Sequence, residues 1–251
     1  MTFMQKINYI AVRTLFIPVF AAMLLSIAGC ATSDKRIIFG GSPIAIVSMV
    51  TNNDINWKDE DSFSAFVAGR AIRRVMESDP DQTMTTSADT FIDVIESDVR
   101  SILDMSPFLT LVPAETVHGS SVYNIARSNP LHEKENLITP PGYRYTYYRD
   151  SKFFPSFAAE TGITKTLFIT FEIGKEMASG IAKFGNGRAT VTMTVMLKDE
   201  RGKTLFHKIY NSFSREKTKV TGGRYSQSEM QSLILSAIGD ACYDLLDDIA
   251  Y

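Results

Sequence analysis

The sequence is poor in the residues that most often carry chemistry. Its 251 residues hold two cysteines, three histidines and one tryptophan. Two cysteines permit at most one disulfide, which excludes a disulfide scaffold. Metal sites need clustered His, Cys, Asp or Glu, yet no two of His118, His132 and His207 have helical ligand spacing. Excess positive charge is missing too, since 26 Lys and Arg face 28 Asp and Glu for a formal net charge of -2. A nucleic-acid partner calls for a basic surface and is not expected. Long apolar runs are confined to residues 14–29, where Pro18 interrupts the stretch. A lasting membrane helix wants roughly 20 apolar residues, so this run is short for one.

Catalytic motifs are equally scarce. No Gly-x-Ser-x-Gly occurs. Ser214 and Lys217 match a Ser-x-x-Lys pattern but trail a strand, and the companion Ser-Asp-Asn is absent. Gly180 and Gly185 have phosphate-loop spacing, but Asn186 and Gly187 stand where Lys and Ser or Thr are needed. Residues 180–187 are read as a flexible loop between strands. The acidic loop of Asp54, Asn56, Asp59, Glu60 and Asp61 fails the calcium pattern, with Lys58 at its fifth position and no glycine at its sixth. No catalytic residue, metal ligand or cofactor is assigned.

What is present begins with an address. Lys6 and Arg13 precede the apolar run, and Ala28 and Gly29 precede Cys30. Positive charge, apolar run and small residues, in that order, make a secretory signal. The segment Leu25-Ser26-Ile27-Ala28-Gly29-Cys30 resembles the bacterial lipobox. That resemblance implies cleavage between Gly29 and Cys30, and a diacylglycerol on the Cys30 thiol. It also implies an acylated amine at Cys30, and hence a lipid bilayer as partner. Ala31 is not the aspartate that retains such proteins at the inner membrane, so the outer membrane is favoured. The leader carries two positive charges and no negative ones, so its removal takes the net charge from -2 to -4. Cys242 is then left without a disulfide partner and is read as a small buried apolar residue.

Three segments are expected: signal peptide at 1–29, lipidated cysteine with tether at 30–42, and one domain at 43–251 with an irregular insert at 113–150. Twelve tether residues reach at most about 40 Å. Within the domain, 44–50 is a compact apolar run bounded by turn residues and predicts a buried strand. Helical spacing marks 63–76 and 87–103, with Ser87 placed to cap the second. Residues 108–112 read as a second strand, stopped by Pro113, and 167–173 as a third. A short helix near 120–127 and another at 153–160 are expected. Residues 189–197 alternate, with Ala189, Val191, Met193, Val195 and Leu197 opposed to Thr190, Thr192 and Thr194. A turn at 199–202 returns the chain through 203–213 as a hairpin, and 226–249 is a long amphipathic helix. The fold class is therefore α/β, a mixed sheet of about five strands combining parallel crossovers with an antiparallel hairpin.

The element order loosely resembles the small α/β domain of envelope lipoproteins such as the curli secretion channel subunit, and the N-terminal domain of the periplasmic protein TolB. Ile55-Asn56-Trp57, Met177-Ala178-Ser179-Gly180, Val191 to Val195, and Ala241-Cys242-Tyr243-Asp244 are similar to a family of uncharacterised bacterial lipoproteins. Neither resemblance implies an activity. The candidate surface is Tyr143, Arg144, Tyr145, Tyr147 and Arg149, because tyrosine and arginine are favoured where proteins grip partners. Extended chain would point the three tyrosines one way; the alternative is that their rings pack the insert onto the domain. The favoured function is a membrane-anchored, non-catalytic module that binds an envelope protein or assembles with itself. A lipid- or glycan-binding module and a hydrolase with an unrecognised site stay open beside it.

Overall fold

A computed structural model describes residues 35–58, 81–130, 136–181 and 183–250. Gly29, Cys30, the helix expected at 63–76, His132 and the acidic residues Asp59, Glu60 and Asp61 lie outside the described residues.

One mixed sheet organises the chain. Strand β1 (Ile44–Asn52) runs parallel to β6 (Lys165–Ile181), the one parallel strand pair among the described residues. From β6 the sheet continues antiparallel to β7 (Phe184–Asp199) and β8 (Thr204–Phe213). On the other side of β1 lies the two-residue β5 (Leu137–Ile138). Short pairs join β2 (Asp54–Ile55) to β4 (Thr86–Ser87), and β3 (Gln82–Thr83) to β10 (Tyr225–Ser226); β9 (Thr218–Thr221) pairs with the start of β7. The helices are α1 (Lys35–Phe39), α2 (Ile92–Asp104), α3 (Ala114–His118), α4 (Ser121–Asn124), α5 (Phe153–Thr161) and α6 (Gln227–Ala250).

Strand alternation splits the sheet into two faces. Ile46, Met49, Leu167, Ile169, Phe171, Val191, Met193, Val195 and Leu197 are buried in a core shared with α2 and α6. Ala45, Val47 and Phe168 face the other way and pack with Phe153, Phe154 and Phe157 of α5 and with Val117 and Tyr123 of the insert. Helix α6 is capped by Ser226, whose hydroxyl accepts from the Glu229 amide at 3.1 Å. Its buried stripe includes Leu233, Ile234, Ile238, Cys242, Leu245 and Ile249. Each such Leu or Ile contributes roughly 1.5–3 kcal/mol, whereas a partly exposed ion pair such as Arg215–Asp240 adds about 0–1 kcal/mol. Burial, not charge pairing, holds α6 down.

Four expectations change. Residues 108–112 do not form a strand; Leu111 makes a single bridge to Ile44, and Val112 donates to the Ile44 carbonyl at 2.9 Å. Pro113 has no amide to continue the ladder, so the run fills core with Leu109 and Val112 as irregular chain. The Ser87 hydroxyl donates to Asn53 Oδ1 at 2.7 Å and does not cap a helix; residues 88–90 make a 3-10 turn before α2. Gly180, Ile181 and residues 184–187 are strand and not loop, because β6 and β7 pair out to Ile181 and Phe184 with Gly180 opposite Gly185. Their φ values are 113° and 147°, and a Cβ on Gly180 would sit 2.0 Å from the Phe184 carbonyl oxygen. Finally, Lys35–Phe39, inside the expected tether, is helical and packs on the body. Phe39 is buried with its ring 5.0 Å from that of Phe206, and Lys35 is ion-paired with Asp248 near the end of α6.

Candidate functional site

The insert wraps past the β5 edge and returns over the face of the sheet that α6 leaves open. Pro140-Pro141-Gly142-Tyr143 makes the entry turn, with the Tyr143 amide donating to the Pro140 carbonyl at 3.0 Å and Gly142 at φ 82°. Tyr143 consequently points inward and is buried. Its hydroxyl accepts from Arg100 Nε at 2.9 Å and Nη2 at 2.7 Å, and donates to Glu96 Oε1 at 3.1 Å. Burial raises the Tyr143 pKa well above the ordinary phenol value, keeping it neutral. Arg144 turns back into the insert, its amide donating to the Tyr123 hydroxyl at 2.8 Å and its Nη2 to the Ala126 carbonyl at 3.2 Å. Tyr143 and Arg144 thus hold the insert in place. The expected one-sided row of Tyr143, Tyr145 and Tyr147 fails because the entry turn rotates Tyr143 away from the other two.

Tyr145, Tyr147, Tyr148 and Arg149 are left at the surface. Thr146 between them is buried and donates to the Val47 carbonyl at 3.2 Å, pinning this segment onto β1. Arg127 lies 5.1 Å over the Tyr147 ring and Arg149 lies 5.3 Å over that of Tyr148. Such contacts fix otherwise mobile side chains.

Tyr145 and Tyr148 form one wall of a groove whose floor is the open face of the sheet. Register makes the floor: Ser48, Phe168, Met196 and His207 fall in one row across β1, β6, β7 and β8, with Thr170 and Thr194 beside it. These residues and Thr146 enclose about 240 Å³. A second lobe of about 310 Å³ continues past Tyr148 and Met196, which line both, to Phe154, Lys198 and the turn after β7. The floor is mixed, with hydroxyls beside Phe168 and Met196. Such a site can hold an apolar group and orient it through a few polar contacts.

Sequence reasoning missed Met196, Lys198 and His207. The signal was present, since the alternation of Thr190, Thr192 and Thr194 continues through Met196 and Lys198 on the same face. The remaining motif candidates have structural roles. The Ser214 hydroxyl accepts from the Ala189 amide at 3.0 Å and donates to the Glu216 carbonyl at 3.0 Å. Cys242 is fully buried, with its sulfur 3.9 Å from that of Met193, and burial pushes its thiol pKa up to about 12. Lys175 is buried under two rings, its Nζ donating to the Tyr225 hydroxyl at 2.6 Å and lying 5.5 Å from the Trp57 ring centroid. Among the described residues no group of three or more His, Cys, Asp or Glu could hold a metal ion, and no helix is long and apolar enough to cross a membrane.

No family model matches the chain, and no curated protein does. Solved structures similar to it include the following three. Lipoprotein GNA1162 from Neisseria meningitidis is 13% identical, over 84% of this chain and 99% of that one, with a TM-score of 0.31. The LpoB C-terminal domain from Salmonella enterica is 11% identical over 77% and 92%, with a TM-score of 0.29. The hypothetical protein CT253 from Chlamydia trachomatis is 9% identical over 84% and 94%, with a TM-score of 0.32.

Proposed function

We propose that this chain is a lipid-anchored module of the bacterial cell envelope that works by binding, without catalysis. Cys30 carries the acyl chains and holds the domain at a membrane, with the outer membrane the favoured one. The groove under Tyr145 and Tyr148 receives a protein partner or a second copy of the chain. The lipobox-like segment ending at Cys30 supports the anchor. The observation that carries the binding function is an aromatic wall, Tyr145 and Tyr148, set over a sheet floor of Ser48, Phe168, Met196 and His207 with about 240 Å³ between them. Aromatic and arginine side chains on fixed supports suit a binding face.

Because Lys35–Phe39 is already helical, at most residues 30–34 are left to separate lipid from body. Five residues reach at most about 17 Å, so a partner must be met close to the bilayer.

Two measurements test this. Cells grown with radioactive palmitate should label the protein, and Cys30→Ser should abolish the label; a label that survives the substitution removes the anchor. A photo-crosslinking residue at Tyr148 should trap one defined neighbour in intact cells, while the same probe at Tyr243, exposed on α6, should not. Equal trapping at both positions, or none at Tyr148, removes the groove as the binding face. The enclosed volume favours a second reading, a lipid or glycan ligand in the groove, which native mass spectrometry would detect as a retained mass.

A further inference from the structure

The second lobe has a chemical character that the first lacks. Its lining includes three cations, Arg149, Lys198 and Arg201, three hydroxyl side chains, Tyr148, Ser151 and Thr204, and no carboxylate. Lys198 is the unusual member. It is only 6% exposed, and no carboxylate lies within salt-bridge distance of its Nζ among the described residues. Its Nζ donates to the Gly202 carbonyl at 3.0 Å and to Thr204 Oγ1 at 3.0 Å. An ammonium has three donors, so one remains for a guest.

The neighbouring carboxylate is committed elsewhere. Asp199 Oδ1 accepts from the Arg201 amide at 2.9 Å and the Lys203 amide at 2.8 Å, closing the turn after β7. Glu200 lies 3.9 Å from Arg201, an exposed and weak pairing. Desolvation depresses the Lys198 pKa, Asp199 opposes the shift, and the charge of Arg149 adds to it. Two cations that crowd each other in a half-enclosed lobe are relieved by an anion between them.

We propose that this lobe binds the phosphate of a phosphomonoester whose apolar body lies in the first lobe, between Tyr148, Met196 and Phe168. A phosphomonoester brings up to two negative charges and several acceptor oxygens at its terminus, which matches three cations and three hydroxyls better than a single carboxylate does. Tyr148 and Met196 line both lobes, so the two subsites are neighbours that share these side chains. The inference deepens the ligand-binding reading of the groove and does not depend on lipid at Cys30.

Titration of the purified full chain in a neutral maltoside detergent tests it, with hexyl phosphate, inorganic phosphate and hexyl glucoside as probes. Hexyl phosphate should bind about tenfold more tightly than either other probe, and raised ionic strength should weaken it. Arg149→Gln, at an exposed side chain, should weaken hexyl phosphate about fivefold with an unchanged unfolding temperature, and Lys198→Met should weaken it further. Since Lys198 also ties the turn, the Arg149 variant keeps the test valid if Lys198→Met does not fold. Hexyl glucoside binding as well as hexyl phosphate, no binding of either phosphate probe, or hexyl phosphate binding unchanged in both folded variants would overturn the proposal. Competition then identifies the source. Displacement by phosphatidic acid in mixed micelles assigns the phosphate to a lipid, displacement by glycerol phosphate alone assigns it to a soluble ligand, and each upholds the phosphate site. Because no readout involves palmitate or crosslinking, failure here leaves the anchor and the partner face standing.

Discussion

Glu160 shows how a single side chain fixes the insert. From the last turn of α5 its carboxylate accepts from the Ser120 hydroxyl, the Ser121 amide at 2.9 Å and the Val122 amide at 3.1 Å. It thereby covers the start of α4, where backbone donors have no partner within the helix. Hydrogen bonds from Ser120 and Ser121 lead the causes that lower its pKa from 4.5 to about 2. A depressed carboxylate makes the folded state hold fewer protons than the unfolded one. Its contribution is therefore complete above about pH 4.5 and is lost as pH falls towards about 2. Wild-type melting temperature should drop between pH 5 and pH 2 by more than that of Glu160→Gln. Parallel curves for the two proteins would show that Glu160 does not couple the insert to proton uptake. None of this was legible in the sequence, where Glu160 and Ser120 stand 40 residues apart.

At the scale of elements, the β7–β8 hairpin is the clearest case of local sequence dictating form, predicted by strict alternation over 189–197 and the turn at 199–202. At the other end of β7 the β6–β7 pairing runs beyond the expected strands, to Ile181 on β6 and back to Phe184 on β7, because glycines let two backbones meet. Gly180→Ala and Gly185→Ala should each cost about 1–3 kcal/mol, from positive φ and from contact with the opposite strand. Gly41→Ala, where φ is 79° and nothing lies within 4 Å of the added carbon, should cost less. Urea midpoints would rank the three, and a tie would refute the clash. Gly187 matters for another reason, since a Cβ there would stand 2.9 Å from the Trp57 ring, which must approach closely to cover Lys175. The 108–112 segment shows the reverse case. Its apolar content marked it as buried, and it is buried, but hydrophobicity alone does not separate a strand from irregular core chain.

For the whole molecule, both core layers share β1 and β6, so neither face can dissolve without uncovering the other. The single tryptophan, Trp57, belongs to the α2–α6 layer, whereas far-UV circular dichroism reports every element. Thermal unfolding followed by the two signals should coincide; loss of dichroism ahead of the Trp57 change would mean that the insert layer melts alone. The amino-acid sequence by itself determined the α/β class, the mixed sheet, the hairpin and the long last helix. Periodicity of 2 and of 3.6 is a local property that each segment carries wherever it is placed. Tertiary structure alone decided which way Tyr143 turns and that Lys35–Phe39 packs on the body. It also decided that Met196, Lys198 and His207 share a groove with Tyr145 and Tyr148. Those facts depend on strand register and on contacts between residues tens of positions apart, which no local pattern encodes.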